Sequence, residues 1–200
     1  MVNVVIVLFN EFETLDVFGP VEILGSFKEH FKLDYYSLEG GNITSSQNVS
    51  IATKKLDQAN SKDYILFVPG GMGTRQLIYD KKLMAELAKL ATNAKYILTV
   101  CTGSSLLSQT KLLDNKKATS NKKALNWTKS IAPNVQWIDK ARWVKDGNIY
   151  SSSGVSAGID MSLGFIADLF GYDVAKQKSI EIEYSWQEDA TIDEFADIYK

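Results

Sequence analysis

The stretch Tyr96-Ile-Leu-Thr-Val-Cys-Thr-Gly-Ser-Ser-Leu-Leu107 decides the fold. Its first five residues are apolar and β-branched, the pattern of a strand buried on both faces in a parallel sheet. Its second half opens an amphipathic helix with small residues in the first turn. The only cysteine of the chain, Cys101, stands at the junction. A thiol at a strand-to-helix turn meets the positive end of the helix dipole and several unpaired backbone N–H groups. Both favour thiolate over thiol, so a lowered pKa is expected. The arrangement is that of a nucleophile elbow with sulfur in place of oxygen. The plainer reading is a buried cysteine that packs as a small hydrophobe.

Outward from this unit, strands and helices alternate without a linker. Strands are expected over residues 2–9, 32–38, 64–68, 96–100, 117–120, 135–138, 141–145 and 149–152. The last two are expected to turn at Asp146-Gly147, and residues 42–53 to form a small hairpin. Helices are predicted over 17–27, with Pro20 in its first turn, and over 74–92, 122–131, 156–170 and 173–184, the fourth capped by Gly171. The alternation predicts one α/β domain over residues 1–200, a flavodoxin-like sandwich with a mostly parallel sheet and helices on both faces. Ligands of such sheets bind beyond the carboxyl ends of the strands, where Cys101 falls.

Composition narrows the function. Two hundred residues suffice for a core without disulfide or metal support. One cysteine excludes an intrachain disulfide and any cysteine-based zinc site. The first residues, Val2 to Leu8, are too short for a signal sequence, and no apolar run approaches a membrane span. A cytoplasmic location and no membrane partner are expected. A net charge of −2 gives no pull towards nucleic acid. The scattered lysines of residues 111–145 read as a solvated face.

Two further strand ends point into the same crevice. Asp16, in Leu15-Asp-Val-Phe-Gly-Pro20, is either an ordinary helix N-cap or a proton carrier beside the thiol. Near a thiolate its pKa would be raised. Pro69-Gly-Gly-Met-Gly73 is either a tight turn or, through free N–H groups at Gly70 and Gly71, an oxyanion site; no phosphate loop follows it. The single histidine, His30, lies at the end of the first helix, away from the crevice. His30 reads as a surface residue, so a Cys-His dyad is hard to build, and zinc hydrolysis lacks ligands. A thiolate paired with a carboxylate remains, suited to attack on an electrophilic carbon.

Leu15-Asp-Val-Phe-Gly-Pro20, Val68-Pro-Gly-Gly71, Val100-Cys-Thr-Gly103, Lys117-Ala-Thr119 and Gly154-Val-Ser-Ala-Gly-Ile-Asp160 occur in this order. Together they resemble the ThiJ/PfpI superfamily, in the branch that contains isocyanide hydratase, over residues 2–184. The resemblance implies a homodimer that needs no cofactor. It makes Cys101 the nucleophile, Asp16 its carboxylate partner and Thr102 the polar neighbour. Gly71 and the Cys101–Thr102 backbone would then supply the anion-binding amides. The implied reaction is hydration of isocyanide-like substrates to N-substituted formamides. An amidase or intracellular protease of the same superfamily, and a non-catalytic redox or ligand sensor, are the competing readings. Related peptidases carry histidine after the cysteine, where Thr102 stands here. Relatives of the hydratase branch continue Ala118-Thr119 with Thr-His-Trp, whereas Ser120-Asn121-Lys122 follows here. Beyond Ile182-Glu-Tyr184 they run into a proline-rich segment, whereas this chain has Ser185-Trp-Gln-Glu-Asp189. If that segment covers the pocket, substrate size and polarity differ. Regulators of the superfamily add a helix-turn-helix region after the domain; this chain stops at Lys200, and DNA binding is not expected.

Overall fold

A computed structural model describes residues 1–59 and 62–199. Its centre is a sheet of eight strands: β1 (Val2–Val7), β2 (Phe31–Ser37), β3 (Gly41–Thr44), β4 (Ser50–Lys55), β5 (Ile65–Val68), β6 (Tyr96–Thr99), β9 (Trp143–Asp146) and β10 (Ile149–Ser152). They lie in the order β3-β4-β2-β1-β5-β6-β10-β9. Strands β4, β2, β1, β5, β6 and β10 run parallel, and antiparallel hairpins close both edges. A short parallel pair, β7 (Lys117–Ala118) with β8 (Gln136–Trp137), lies apart. All four residues of β5, and the last four of β1, are buried, as continuous apolar runs in a two-sided sheet must be.

Helices α1 (Thr14–Ser26), α6 (Ala157–Phe170) and α7 (Tyr172–Glu181) form one packed group. Helices α2 (Thr74–Leu77), α3 (Lys81–Asn93) and α4 (Gly103–Gln109) form another. A Ser105–Thr128 hydroxyl bond of 2.9 Å joins α4 to α5 (Leu125–Ile131). The mostly parallel sandwich expected from the sequence is therefore present. No helix among the described residues is long and apolar enough to cross a membrane.

Two elements depart from expectation. The first helix begins at Thr14 rather than Val17, so Pro20 lies in its second turn. Proline there removes the N–H that would have bonded the carbonyl of Asp16, four residues earlier. The helix expected over 74–92 is two helices, α2 and α3, because Asp80 caps the second: its carboxylate accepts from the N–H groups of Lys82 and Leu83, each at 3.0 Å.

Candidate active site

Because β1, β5, β6 and β10 are parallel, the loops leaving their carboxyl ends converge. The loop from β6 carries Cys101, with φ of 56°. That left-handed conformation is costly for a residue with a Cβ and persists only where the surroundings impose it. Here they do. The Cys101 N–H donates to Ser153 O (3.0 Å), and its carbonyl accepts from the hydroxyls of Ser104 (3.0 Å) and Ser120 (2.9 Å).

Asp16 arrives from α1. It is not an N-cap: Glu13 occupies that position, and Asp16 lies in the first turn with its side chain completely buried. Its Oδ2 accepts from the Gly70 N–H at 2.8 Å, while Oδ1 is buried with no hydrogen-bond partner. The side chain the carboxyl meets there is the Cys101 thiol. Burial pushes the Asp16 carboxyl well above the usual carboxylate range, against the Gly70 N–H, which favours the charged form.

The thiol departs from expectation. Cys101 is only 7% exposed, and burial, then the Asp16 charge, push it above the ordinary thiol value. The Thr102 N–H, the Thr102 hydroxyl and the Asn121 amide oppose that shift. Desolvation outweighs the turn's N–H groups, so both acids are pushed towards their protonated forms, against the lowered thiol pKa expected from the turn.

Gly70 and Gly71 are in place, but their amides are not free. Gly70 N–H is committed to Asp16, and Gly71 N–H donates to Thr102 Oγ1 at 3.1 Å. The expected open oxyanion pair at Gly70 and Gly71 gives way to a positioning role. The glycines themselves are required: a Cβ at Gly70 would come within 2.5 Å of Thr102 N, and Gly71 has φ of 136°. Thr102 Oγ1 also accepts from the Thr74 hydroxyl at 3.0 Å, and its own proton lies within reach of Gly71 O (3.4 Å) and the sulfur. The anion donors that remain at the sulfur are the Thr102 N–H, this hydroxyl and Asn121.

Two participants escaped the sequence reading. Asn121 entered it only as a departure from the relatives' pattern; its Oδ1 accepts from Ala124 N–H (3.3 Å), which turns the amide NH2 to the thiol. Arg75, one residue beyond Thr74, stacks its guanidinium on Trp127 with Cζ 3.4 Å from the ring centroid. His30 is exposed at the opposite end of β1, where its carbonyl accepts from Val2 N–H and its ring lies 4.6 Å from that of Phe170. No cluster of metal-ligating side chains occurs among the described residues.

Beside Asn121 opens a cavity of about 210 Å³, also lined by Ser153, Gly154, Phe195 and Tyr199. The segment after α7 forms this wall: Trp186 Nε1 and Gln187 N–H bond Asp160, and Arg142 N–H bonds Ala190 O at 2.7 Å.

A cysteine on a left-handed strand-to-helix turn, faced by a buried carboxyl in a flavodoxin-like sandwich, defines a thiol-centred α/β protein. Residues 2–168 match the model of the DJ-1/PfpI family, and the chain belongs to that family. It is 30% identical to isonitrile hydratase of Pseudomonas putida over 182 residues, 89% of this chain and 76% of that protein. It is 28% identical to deglycase PfpI of Pyrococcus furiosus over 145 residues, 72% of this chain and 84% of that one. Among solved structures, a ThiJ/PfpI family protein from Pseudomonas syringae superposes with a TM-score of 0.83 at 28% identity, covering 92% of this chain and 75% of that one.

Proposed function

We propose that this protein is a cysteine-dependent hydro-lyase that hydrates isocyanide-like substrates to N-substituted formamides. The observation that carries the reading is the pairing of Cys101 with a buried carboxyl, Asp16, while the one histidine lies at the far end of the sheet. An amide-cleaving thiol needs an acid for an amine leaving group; isocyanide hydration expels none. The 30% identity to an isonitrile hydratase supports the same reading.

The proton inventory of the pair is sufficient. In the reactive form the pair shares one proton: with that proton on Asp16, the Cys101 sulfur attacks the terminal isocyanide carbon as thiolate while Asp16 delivers the proton to that carbon. The product is a thioimidate, S–CH=N–R. Water then adds to the same carbon: Asp16 takes one of its protons and passes it to nitrogen. Collapse forms the formamide C=O and breaks the C–S bond, and the hydroxyl proton returns to Asp16. Thiolate and carboxylic acid are restored, and no cofactor takes part. Thr102 and Asn121 hold the sulfur's charge whenever it leaves carbon. We place the protein in the cytoplasm as a homodimer, as the ThiJ/PfpI likeness implies.

Loss of the isocyanide infrared stretch, with formamide detected as product, tests the assignment. Cys101→Ser is expected to lower kcat by at least about 10³-fold, and Asp16→Asn by about 10²- to 10⁴-fold. Cleavage of amides or of glycated side chains without isocyanide consumption would replace the reading with that of the hydrolase relatives.

A further inference from the structure

We infer that the substrate carries a carboxylate and that Arg75, braced on Trp127, is the residue that receives it. This rests on the Cys101–Asp16 site and narrows its substrate class.

Arg75 leaves the short helix that follows Pro69-Gly70-Gly71, and Trp127 belongs to the helix that follows Asn121. Their stack therefore ties together the elements leading out of the two loops that flank the thiol. Thr74, the residue before Arg75, is bonded through its hydroxyl to Thr102 and to Gly71 O, which fixes the root of the side chain. Stacking on an aromatic face orders the guanidinium but satisfies none of its N–H groups. Nη1 is closed off from solvent and has no hydrogen-bond partner, and the guanidinium pairs with no carboxylate among the described residues. A pre-ordered guanidinium whose Nη1 is shielded and unpaired is costly unless a ligand completes it. Thr74 bonds Thr102 Oγ1 at 3.0 Å, so Arg75 is rooted one residue away from a direct contact with the neighbour of Cys101, close enough that charge on the sulfur acts on it.

The cations that line the cavity beside Asn121 are spent or exposed. Lys122 donates to Thr119 Oγ1 and Ala141 O and faces Asp193, and Arg142 is bonded to Asp160 at 2.8 Å. Lys123 is exposed. The charge class follows from the amides. A phosphate dianion asks for a nest of free backbone N–H groups, and those of Gly70 and Gly71 are committed. One planar fork matches a carboxylate.

The test compares two alkylating reagents of similar size, iodoacetate and iodoacetamide, in the wild type, Arg75→Gln and Arg75→Lys. Both transfer their CH2 group to Cys101 with loss of iodide, so any change in the thiol itself cancels in the ratio of their rates. The ratio of iodoacetate to iodoacetamide is expected to fall about 10-fold or more in R75Q, and less in R75K. In the wild type, which needs no variant to fold, it is expected to exceed the ratio for free cysteine and to decline with added salt. A ratio within 2-fold of free cysteine, or equal in the wild type and R75Q, overturns the inference. Turnover of a carboxylate-bearing isocyanide against its neutral methyl ester completes the test. If neither is consumed while the alkylation ratio behaves as expected, the hydratase reading fails and the anion site stands.

Discussion

At the scale of single residues, the site works through what burial does to two acids. The Asp16 carboxyl is inaccessible, and one of its oxygens has a single backbone donor. Its folded pKa lies above the unfolded one. Such a group costs stability above its unfolded pKa near 4, and the cost is absent below that pH. Asp16→Asn is therefore expected to raise the melting temperature at pH 7 to 8, with the difference closing as pH falls below about 4. Thermal melts across that range check the sign; an Asn variant less stable at neutral pH would show that the charge is welcome. The same substitution removes the carboxylate that opposes Cys101 ionisation. The midpoint of Cys101 alkylation against pH should then move down relative to the wild type, and an upward move would contradict the pairing. Gly70 is the hinge between these groups. Gly70→Ala sets a methyl 2.5 Å from Thr102 N and 2.9 Å from Asp16 Oδ2, so a loss of about 1–3 kcal/mol in denaturant unfolding is expected, together with slower alkylation.

At the scale of elements, what was legible in the chain followed from period and punctuation. Buried runs such as Ile65–Val68 declared themselves by composition, and Asp146-Gly147 by turn chemistry. The helix over 74–92 was over-read because Leu77, Ile78 and Leu83 keep helical spacing across the break. Asp80, with ψ of 100°, interrupts the backbone without interrupting that apolar pattern. Asp80→Ala should cost about 1 kcal/mol through loss of two capping bonds, a fall of roughly 2–4 °C in Tm for a domain of this size. An unchanged Tm would mean that α3 is held by packing alone. Pro20 misled in the opposite sense. It implied a late helix start, yet α1 packs on α6 closely enough that a Cβ on Gly158 would lie 3.3 Å from the Pro20 ring. Tertiary contact, which no local rule encodes, keeps proline in the second turn. The site was legible to the same degree. Cys101, Asp16 and Thr102 each sit next to a local signal, a strand end or a helix start. Asn121 reaches the thiol from 20 positions away, and Arg75 comes to the neighbourhood of Thr102 from 26 positions before Cys101, through loops whose course only the packed fold sets.

At the scale of the molecule, the chain after α7 is fastened by buried charge. The Asp193 carboxylate is fully buried, 3.6 Å from Lys122 Nζ and 4.0 Å from Arg142 Nη1. Phe195 and Tyr199, which follow it, are each about half exposed and line the cavity beside Asn121. This segment begins with Ser185-Trp-Gln-Glu-Asp189. The ion pair thus ties the chain after α7 to Lys122. Removing a single partner of a buried pair leaves a charge uncompensated, at a cost of about 3–5 kcal/mol. Asp193→Ala should fall at the lower end, because Lys122 keeps its bonds to Thr119 Oγ1 and Ala141 O. Burial already depresses Lys122, and Asp193 is the main influence holding its pKa up. Without Asp193 it falls further below the unfolded value. The deficit of the variant is then largest at neutral pH and shrinks as pH rises towards 10, where Lys122 sheds its proton in the folded state more readily than in the unfolded one. Lys122→Met combined with Asp193→Leu removes both charges and should recover most of the loss. Urea unfolding at pH 7 and pH 9.5 measures all three proteins. A deficit that grows with pH, or a double variant weaker than D193A, would show that the segment is held by its apolar contacts and not by this pair.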